Sequence, residues 1–220
     1  MLADLARCSS PNHGDRRGHR PELIVLHYTG MANATLARDR LCDPASDVSA
    51  HWLIDEAGRI EALVAEDRRA WHAGAGAWCG RDDINSRSIG IEIANPGDRP
   101  FPAAQMDSLV LLLGRIMARW SLGPAAVIGH SDMAPGRKID PGPRFDWQRL
   151  AREGLALWPD GPGADAPLAG SLDALGYPPA EPETRLAAFR LRFRPWAKGP
   201  ESAEDRMIAA ALTTARPGVG

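Results

Sequence analysis

Residues 23–30 read LIVLHYTG, in which a short apolar run from Leu23 ends at the polar residue His27. Such a run is typical of a buried strand. His27 would then lie at the end of the strand, where its side chain can face a cleft. Two further runs, SIGIEIA at 88–94 and AAVIG at 125–129, have the same character and lead to Glu92 and His130. The sequence therefore predicts buried strands with polar side chains at or near their ends.

Helical patterns separate these strands. From Pro102 to Trp120, apolar residues recur at helical spacing, and Pro102 can open the first turn. Residues 51–54 and 59–64 predict two strands joined by a turn at Gly58. Because strands are interspersed with helices, we expect an α/β fold with a central mixed β-sheet flanked by helices.

The C-terminal part of the chain differs in composition. Residues 159–167 read PDGPGADAP, which is typical of a linker. Beyond it, three short helical patterns follow, and Ser202 with Asp205 resembles a capping box before the last of them. We therefore predict two domains, a larger one at 1–158 and a small three-helix module at 168–216.

The composition excludes several classes of protein. The 220 residues are 44% hydrophobic, and the net charge of −2 is spread along the chain, which argues against a nucleic-acid binder. Three cysteines (Cys8, Cys42 and Cys79) are too few and too scattered for a disulfide framework. No segment reaches the roughly 20 apolar residues that span a bilayer. The N-terminus has no apolar stretch of signal-peptide length, so we expect a cytoplasmic protein, or a periplasmic one if a leader was removed.

Three widely separated residues form a candidate metal site. His27 ends one apolar run, His130 follows another, and Asp140 lies in GRKIDPGPRF at 136–145. Two imidazoles and one carboxylate are a ligand set of zinc sites that leave a position open for water. Pro141 biases Asp140 towards an extended backbone, so Lys138 and Asp140 should face the same cleft.

Other polar residues could belong to the same cleft. Glu92 is a charge within an apolar strand, which requires either an exposed face or a polar site. His51 and His72 could also be metal ligands, although we expect them to support or line the cleft. Taken alone, each of these histidines is most simply a packed or solvated side chain.

The flanking sequences resemble one family. The matching stretches are HYTG at 27–30, SAHWLID at 49–55, WHAG at 71–74, NSRSIGIEIANPG at 85–97 and GHSDMAPGRKIDPGPRFDW at 129–147. Together they resemble the zinc-dependent N-acetylmuramoyl-L-alanine amidases, a superfamily that includes phage lysozyme-type amidases and peptidoglycan recognition proteins. The tail, with SLDALGYP at 171–178 and AAFRLRFRP at 187–195, more weakly resembles the small peptidoglycan-binding module of some of these amidases.

The resemblance implies a role for each matching residue. His27, His130 and Asp140 match the family's Zn²⁺ ligands, Glu92 its catalytic carboxylate and Lys138 its transition-state lysine. Further residues are candidates for substrate contacts: Tyr28, His51, Trp71, His72 and Asn95.

The implied activity is hydrolysis of the amide between N-acetylmuramic acid and the L-alanine of the stem peptide. We favour the 1,6-anhydro form of the sugar, and therefore peptidoglycan recycling, with muropeptides as the binding partners. Three alternatives stay open at this point: a cell-wall-cleaving periplasmic amidase, a non-catalytic peptidoglycan-binding protein, and a different metal hydrolase such as a peptidase.

Overall fold

The computed structural model describes residues 9–215, and a five-stranded mixed sheet lies at its centre. The described strands are β1 His13–Gly14, β2 Leu23–Tyr28, β3 Trp52–Ile54, β4 Ile60–Ala62, β5 Arg69–Ala70, β6 Ser88–Ile93 and β7 Val127–Gly129. The sheet has the order β4-β3-β6-β2-β7, in which β3–β4 is the antiparallel pair and the other pairs are parallel. β1 and β5 form a separate antiparallel pair. The predicted mixed sheet is confirmed.

Helices cover both faces of the sheet. The α-helices among residues 9–215 are α1 Ala34–Cys42, α2 Ile84–Arg87, α3 Ala103–Trp120, α4 His130–Met133, α5 Trp147–Arg152, α6 Leu168–Leu175, α7 Pro182–Phe193 and α8 Ala203–Ala215. Short 3₁₀ turns lie at Pro44–Ser46 and Pro124–Ala126. Within these residues, no helix combines the length and apolar character that a bilayer crossing requires.

One face of the sheet packs against α3. Side chains alternate between the two faces of a strand, so Ile24 and Leu26 of β2 point to the same side as Ile91 of β6. All three are buried in one cluster with Leu109 and Leu113 of α3. This is the helix that the sequence predicts, and its apolar repeat places these residues on one side of it.

The opposite face is covered in two parts. At the β7 side, Val25 and Ile128 share a buried cluster with Leu172 of α6 and Phe189 of α7. We call α6, α7 and α8 the C-terminal helices. At the β3 side, Leu53 packs with Leu41 of α1. A cavity remains open between the two parts.

The structure also contains three helices that the sequence did not predict, α1, α2 and α4. α1 buries only Ala37 and Leu41, so its apolar pattern is weak. α4 is four residues long, and His130 is its first residue. The predicted strand at 125–129 begins at Val127, after a 3₁₀ turn.

The three helices predicted at the C-terminus are present, and residues 157–167 before them contain neither helix nor strand. The C-terminal helices share a buried core with the sheet. The division into domains at 1–158 and 168–216 stays a prediction. Residues 1–8, with Cys8, and residues 216–220 lie outside the described residues, so the last residue of the predicted module, Arg216, is not described.

Candidate metal and active site

The structure brings the predicted metal ligands together. His27 on β2, His130 at the start of α4 and Asp140 in the following loop each offer an atom within 4.8 Å of the others. Asp140 Oδ2 lies 2.8 Å from His27 Nδ1 and 3.0 Å from His130 Nδ1. All three side chains are buried. The group is thus compact enough to share one ion.

The proton positions on the two candidate ligand histidines follow from their other contacts. His130 Nε2 lies 2.8 Å from the carbonyl oxygen of Ala73, which can only accept a hydrogen bond. His130 therefore carries its proton on Nε2 when it is neutral, and its Nδ1 presents a lone pair to Asp140.

A series of hydrogen bonds shows in the same way which ring nitrogen of His27 carries the proton. The Ser88 hydroxyl donates to the carbonyl oxygen of Ile84 at 2.6 Å, so its oxygen accepts from His72 Nε2 at 3.1 Å. His72 Nδ1 then accepts from His27 Nε2 at 3.0 Å. His27 Nδ1 is left with a lone pair directed at Asp140. Partners of this kind orient metal-binding histidines in many proteins.

These residues fit a divalent cation. Two lone-pair nitrogens face one carboxylate oxygen at hydrogen-bond distance, an arrangement that is repulsive unless a cation lies between them. Burial, followed by the neighbouring His130, lowers the pKa of His27 to about 4, so its imidazole is neutral at pH 7, as metal binding requires. The set of two nitrogens and one oxygen is suited to zinc.

Glu92 lies beside the metal group. Its position on β6 is in register with His27 on β2, and both residues line the same cavity. The Glu92 Oε2 atom is buried without a hydrogen-bond partner among the described residues. Burial, and then the charge of Asp140, raise the pKa of the Glu92 carboxyl well above its usual range. A buried carboxylate oxygen without a partner is costly, which is typical of a group that serves a reaction rather than the fold.

The cavity has a volume of about 520 Å³. Lys138 lines it together with Asp140, as the sequence predicts, and Ile139 between them is 58% exposed at its rim. Arg40 and Leu41 of α1 contribute to another wall. The site therefore opens to solvent beside the metal ligands.

The predicted substrate-contact residues separate into two groups. Tyr28, Trp71 and His72 line the cavity, although His72 is also bonded to His27 and Ser88. The structure does not bring His51 and Asn95 to the cavity. Both are buried, and a contact of either residue with substrate stays a prediction.

His51 and Asn95 instead hold the backbone around the site. His51 Nδ1 accepts a hydrogen bond from the Gly90 amide at 2.9 Å. Burial, and then the charge of Arg16, lower the pKa of His51 to about 3. The Asn95 side chain accepts from the Gly97 amide at 2.8 Å and so shapes the loop after β6. Neither role requires contact with a substrate.

Several supporting residues escaped the sequence prediction. Ser88 completes the chain that orients His27, and Arg137 donates to the carbonyl oxygen of Ala73 at 2.6 Å, next to the bond from His130. Gly90 leaves room for His72, because a Cβ at this position would lie 2.4 Å from the His72 ring. The pattern SIGIEI contains Ser88 and Gly90 at alternate positions, but only the fold shows which histidine they meet.

Comparison with known proteins agrees with this geometry. The family model described as N-acetylmuramoyl-L-alanine amidase matches residues 17–143. The chain is 36% identical over 231 residues to N-acetylmuramoyl-L-alanine amidase AmiD of Escherichia coli (strain K12), a match that covers 88% of this chain and 82% of AmiD. It is 45% identical over 169 residues to 1,6-anhydro-N-acetylmuramyl-L-alanine amidase AmpD of Haemophilus influenzae, which covers 68% of this chain and 91% of AmpD.

The fold matches as well. A solved complex of AmiD from E. coli with the substrate anhydro-N-acetylmuramic acid-L-Ala-D-gamma-Glu-L-Lys superposes with a TM-score of 0.80 at 32% identity, covering 97% of this chain and 93% of AmiD. The family match covers more than half of the chain and includes His27, Glu92, His130, Lys138 and Asp140. This chain therefore belongs to the N-acetylmuramoyl-L-alanine amidase family.

Proposed function

We propose that this protein is a zinc-dependent amidase that cleaves the bond between 1,6-anhydro-N-acetylmuramic acid and the L-alanine of the stem peptide. One observation carries the proposal: His27, His130 and Asp140 converge beside Glu92 on a single open cavity. Similarity to AmiD, solved with an anhydro-N-acetylmuramic acid peptide as substrate, and to AmpD, named for the 1,6-anhydro form, supports this choice of substrate.

The side chains suggest how the reaction proceeds. Zinc held by His27, His130 and Asp140 would supply Lewis-acid chemistry, making water more acidic and the scissile carbonyl more electrophilic. A cation held beside Glu92 would favour its ionised form against the effect of burial. The Glu92 carboxylate then takes a proton from the attacking water and returns it to the leaving amine nitrogen. The Lys138 ammonium, on the same cavity, stabilises the negative charge that develops on the carbonyl oxygen.

Metal removal tests the zinc requirement. The purified protein is stripped with a chelator and incubated with anhydro-N-acetylmuramyl-tripeptide, and the released peptide is measured by chromatography. We expect no release from the stripped protein and recovery when Zn²⁺ is restored. Full activity without metal would contradict the proposal, and cleavage of an equivalent peptide that lacks the muramic acid would favour the peptidase alternative.

A second candidate is cleavage of the intact cell wall. The tail resembles a peptidoglycan-binding module, which would favour a polymeric substrate. Similarity to AmiD extends over 88% of the chain, whereas similarity to AmpD covers 68%. Rates on soluble anhydro-muropeptides and on purified sacculi separate the two candidates, and we expect the soluble fragments to be cleaved faster. The cytoplasmic location stays a prediction that cell fractionation would test.

A further inference from the structure

The C-terminal helices reach the metal site through one buried carboxylate. Asp132 lies on α4, two residues after His130, and its side chain is completely buried. Its Oδ1 accepts a hydrogen bond from the Tyr177 hydroxyl at 2.7 Å, and its Oδ2 lies 3.0 Å from Arg192 Nη1. Tyr177 and Arg192 both belong to the C-terminal part of the chain.

Asp132 also fixes α4, the short helix that begins at His130. Its Oδ2 also accepts a hydrogen bond from the amide of Gly129 at 2.8 Å, which closes the first turn of α4. In the same turn, the amide of Ser131 donates to the carbonyl oxygen of Asp140 at 3.0 Å. α4 therefore fixes the backbone of both His130 and Asp140.

Arg192 joins this turn to other elements. Its guanidinium donates to the carbonyl oxygens of Val127 on β7, at 3.2 Å, and Leu157, at 3.3 Å. It also lies over the Trp147 ring, 4.0 Å from the centroid. A buried carboxylate is tolerated when it is paired and hydrogen-bonded, so Asp132 depends on Arg192 and Tyr177 for its position.

We propose that the C-terminal part of the chain positions the metal site: Arg192 on α7 and Tyr177 in the loop after α6, acting through Asp132, hold α4 so that His130 and Asp140 face His27. Neither Arg192 nor Tyr177 touches the metal group or the cavity, so both are positioning residues. The inference rests on the proposed metal function. It assigns the tail a task in the amidase site itself, separate from any binding of peptidoglycan.

Arg190 provides a matched control. It lies two residues before Arg192 on the same helix, and it is also buried and paired with a fully buried aspartate. Its partner is Asp205, at the start of α8, so this ion pair lies entirely within the C-terminal helices. Arg190→Met and Arg192→Met thus remove similar groups, but only Arg192 is connected to α4.

The test measures zinc affinity in the full-length protein. Wild type, Arg192→Met, Arg190→Met and Tyr177→Phe are stripped of metal, and their Zn²⁺ dissociation constants are determined by chelator competition, with thermal unfolding as a check of folding. We expect the dissociation constant of Arg192→Met to rise about 10–100-fold. Tyr177→Phe should shift it in the same direction by less, and Arg190→Met should stay within about twofold of wild type.

Equal zinc affinities for folded Arg192→Met and Arg190→Met would overturn the inference. If Arg192→Met does not fold, Tyr177→Phe decides, because it removes one hydroxyl, and an unchanged dissociation constant in this variant would also overturn it. Wild-type protein that fails to bind Zn²⁺ would overturn the proposed function together with the inference. Wild-type binding with no loss in the variants would overturn the inference alone.

Discussion

The two faces of the sheet are built from alternate residues of the same strands, yet their side chains differ in size and polarity. On β6, Ile89, Ile91 and Ile93 pack against α3, whereas Ser88, Gly90 and Glu92 occupy the other face. The α3 face is filled with large apolar side chains. The other face combines a hydroxyl, a glycine and a carboxylate, which suits a site where ligands must be oriented and a substrate admitted. The α3 face serves stability alone, whereas the other face combines apolar packing at its two sides with a polar centre that supplies the chemistry.

The largest test of this division is Glu92→Gln. The amide keeps the shape of the side chain but cannot accept a proton, so we expect hydrolysis to fall by about 10²–10⁴-fold. Because a buried carboxylate is costly, we also expect the melting temperature to stay the same or rise. Turnover, zinc content and thermal unfolding are measured together. Near-normal turnover would show that Glu92 is not the base.

Leu109→Ala tests the opposite face. Leu109 on α3 is completely buried, and its truncation should lower the free energy of unfolding by about 2–5 kcal/mol. The site is on the other side of the sheet, so the Zn²⁺ dissociation constant should change by no more than about twofold. Denaturant unfolding and chelator competition provide the two readouts. A large loss of zinc affinity in the folded variant would show that the faces are coupled.

Ser88→Ala tests the polar face of the sheet by removing a single hydroxyl. Without it, the His72 Nε2 proton loses its acceptor, and the chain that presents His27 Nδ1 to the metal is weakened. We expect zinc binding to weaken about 10-fold, at the lower end of the range for such supporting partners. Chelator competition measures the change.

A hydroxyl on α3 serves as the control for Ser88→Ala. Ser108 donates to the carbonyl oxygen of Gly58 at 2.6 Å, away from the metal ligands. Ser108→Ala should therefore leave zinc affinity unchanged. Equal losses of zinc affinity in the two variants would argue that loss of any hydroxyl weakens zinc binding. The hydrogen bonds from Ser88 through His72 to His27 would then have no special role.

How far the sequence predicts the fold depends on the strength of each local pattern. α3 has a strong apolar repeat, and β2 and β6 are apolar runs that end near the site, so their bounds were predicted to within a residue or two. α1 lacks such a repeat, with Leu36 47% exposed, and α4 is a single turn. Their stability comes from neighbours that are distant in sequence, which no local pattern reveals.

The candidate site divides in the same way. His27, Glu92, His130, Lys138 and Asp140 lie in distinctive motifs, and the fold gathers them on one cavity. His51 lies in an equally distinctive motif, SAHWLID, yet its side chain faces the backbone of β6 and not the cavity. A motif marks a residue that matters to the fold or the site, and it does not say which.

By itself, the sequence determined the mixed α/β sheet, the candidate residues of the site and the presence of three C-terminal helices, because periodicity and short motifs are local properties of the chain. Only the tertiary structure decided that those helices share a core with the sheet and that Arg192 meets Asp132 beside a ligand histidine. Contacts between residues 60 positions apart depend on the packing of whole layers. Burial then selects which of the many arginines and aspartates in the chain become partners.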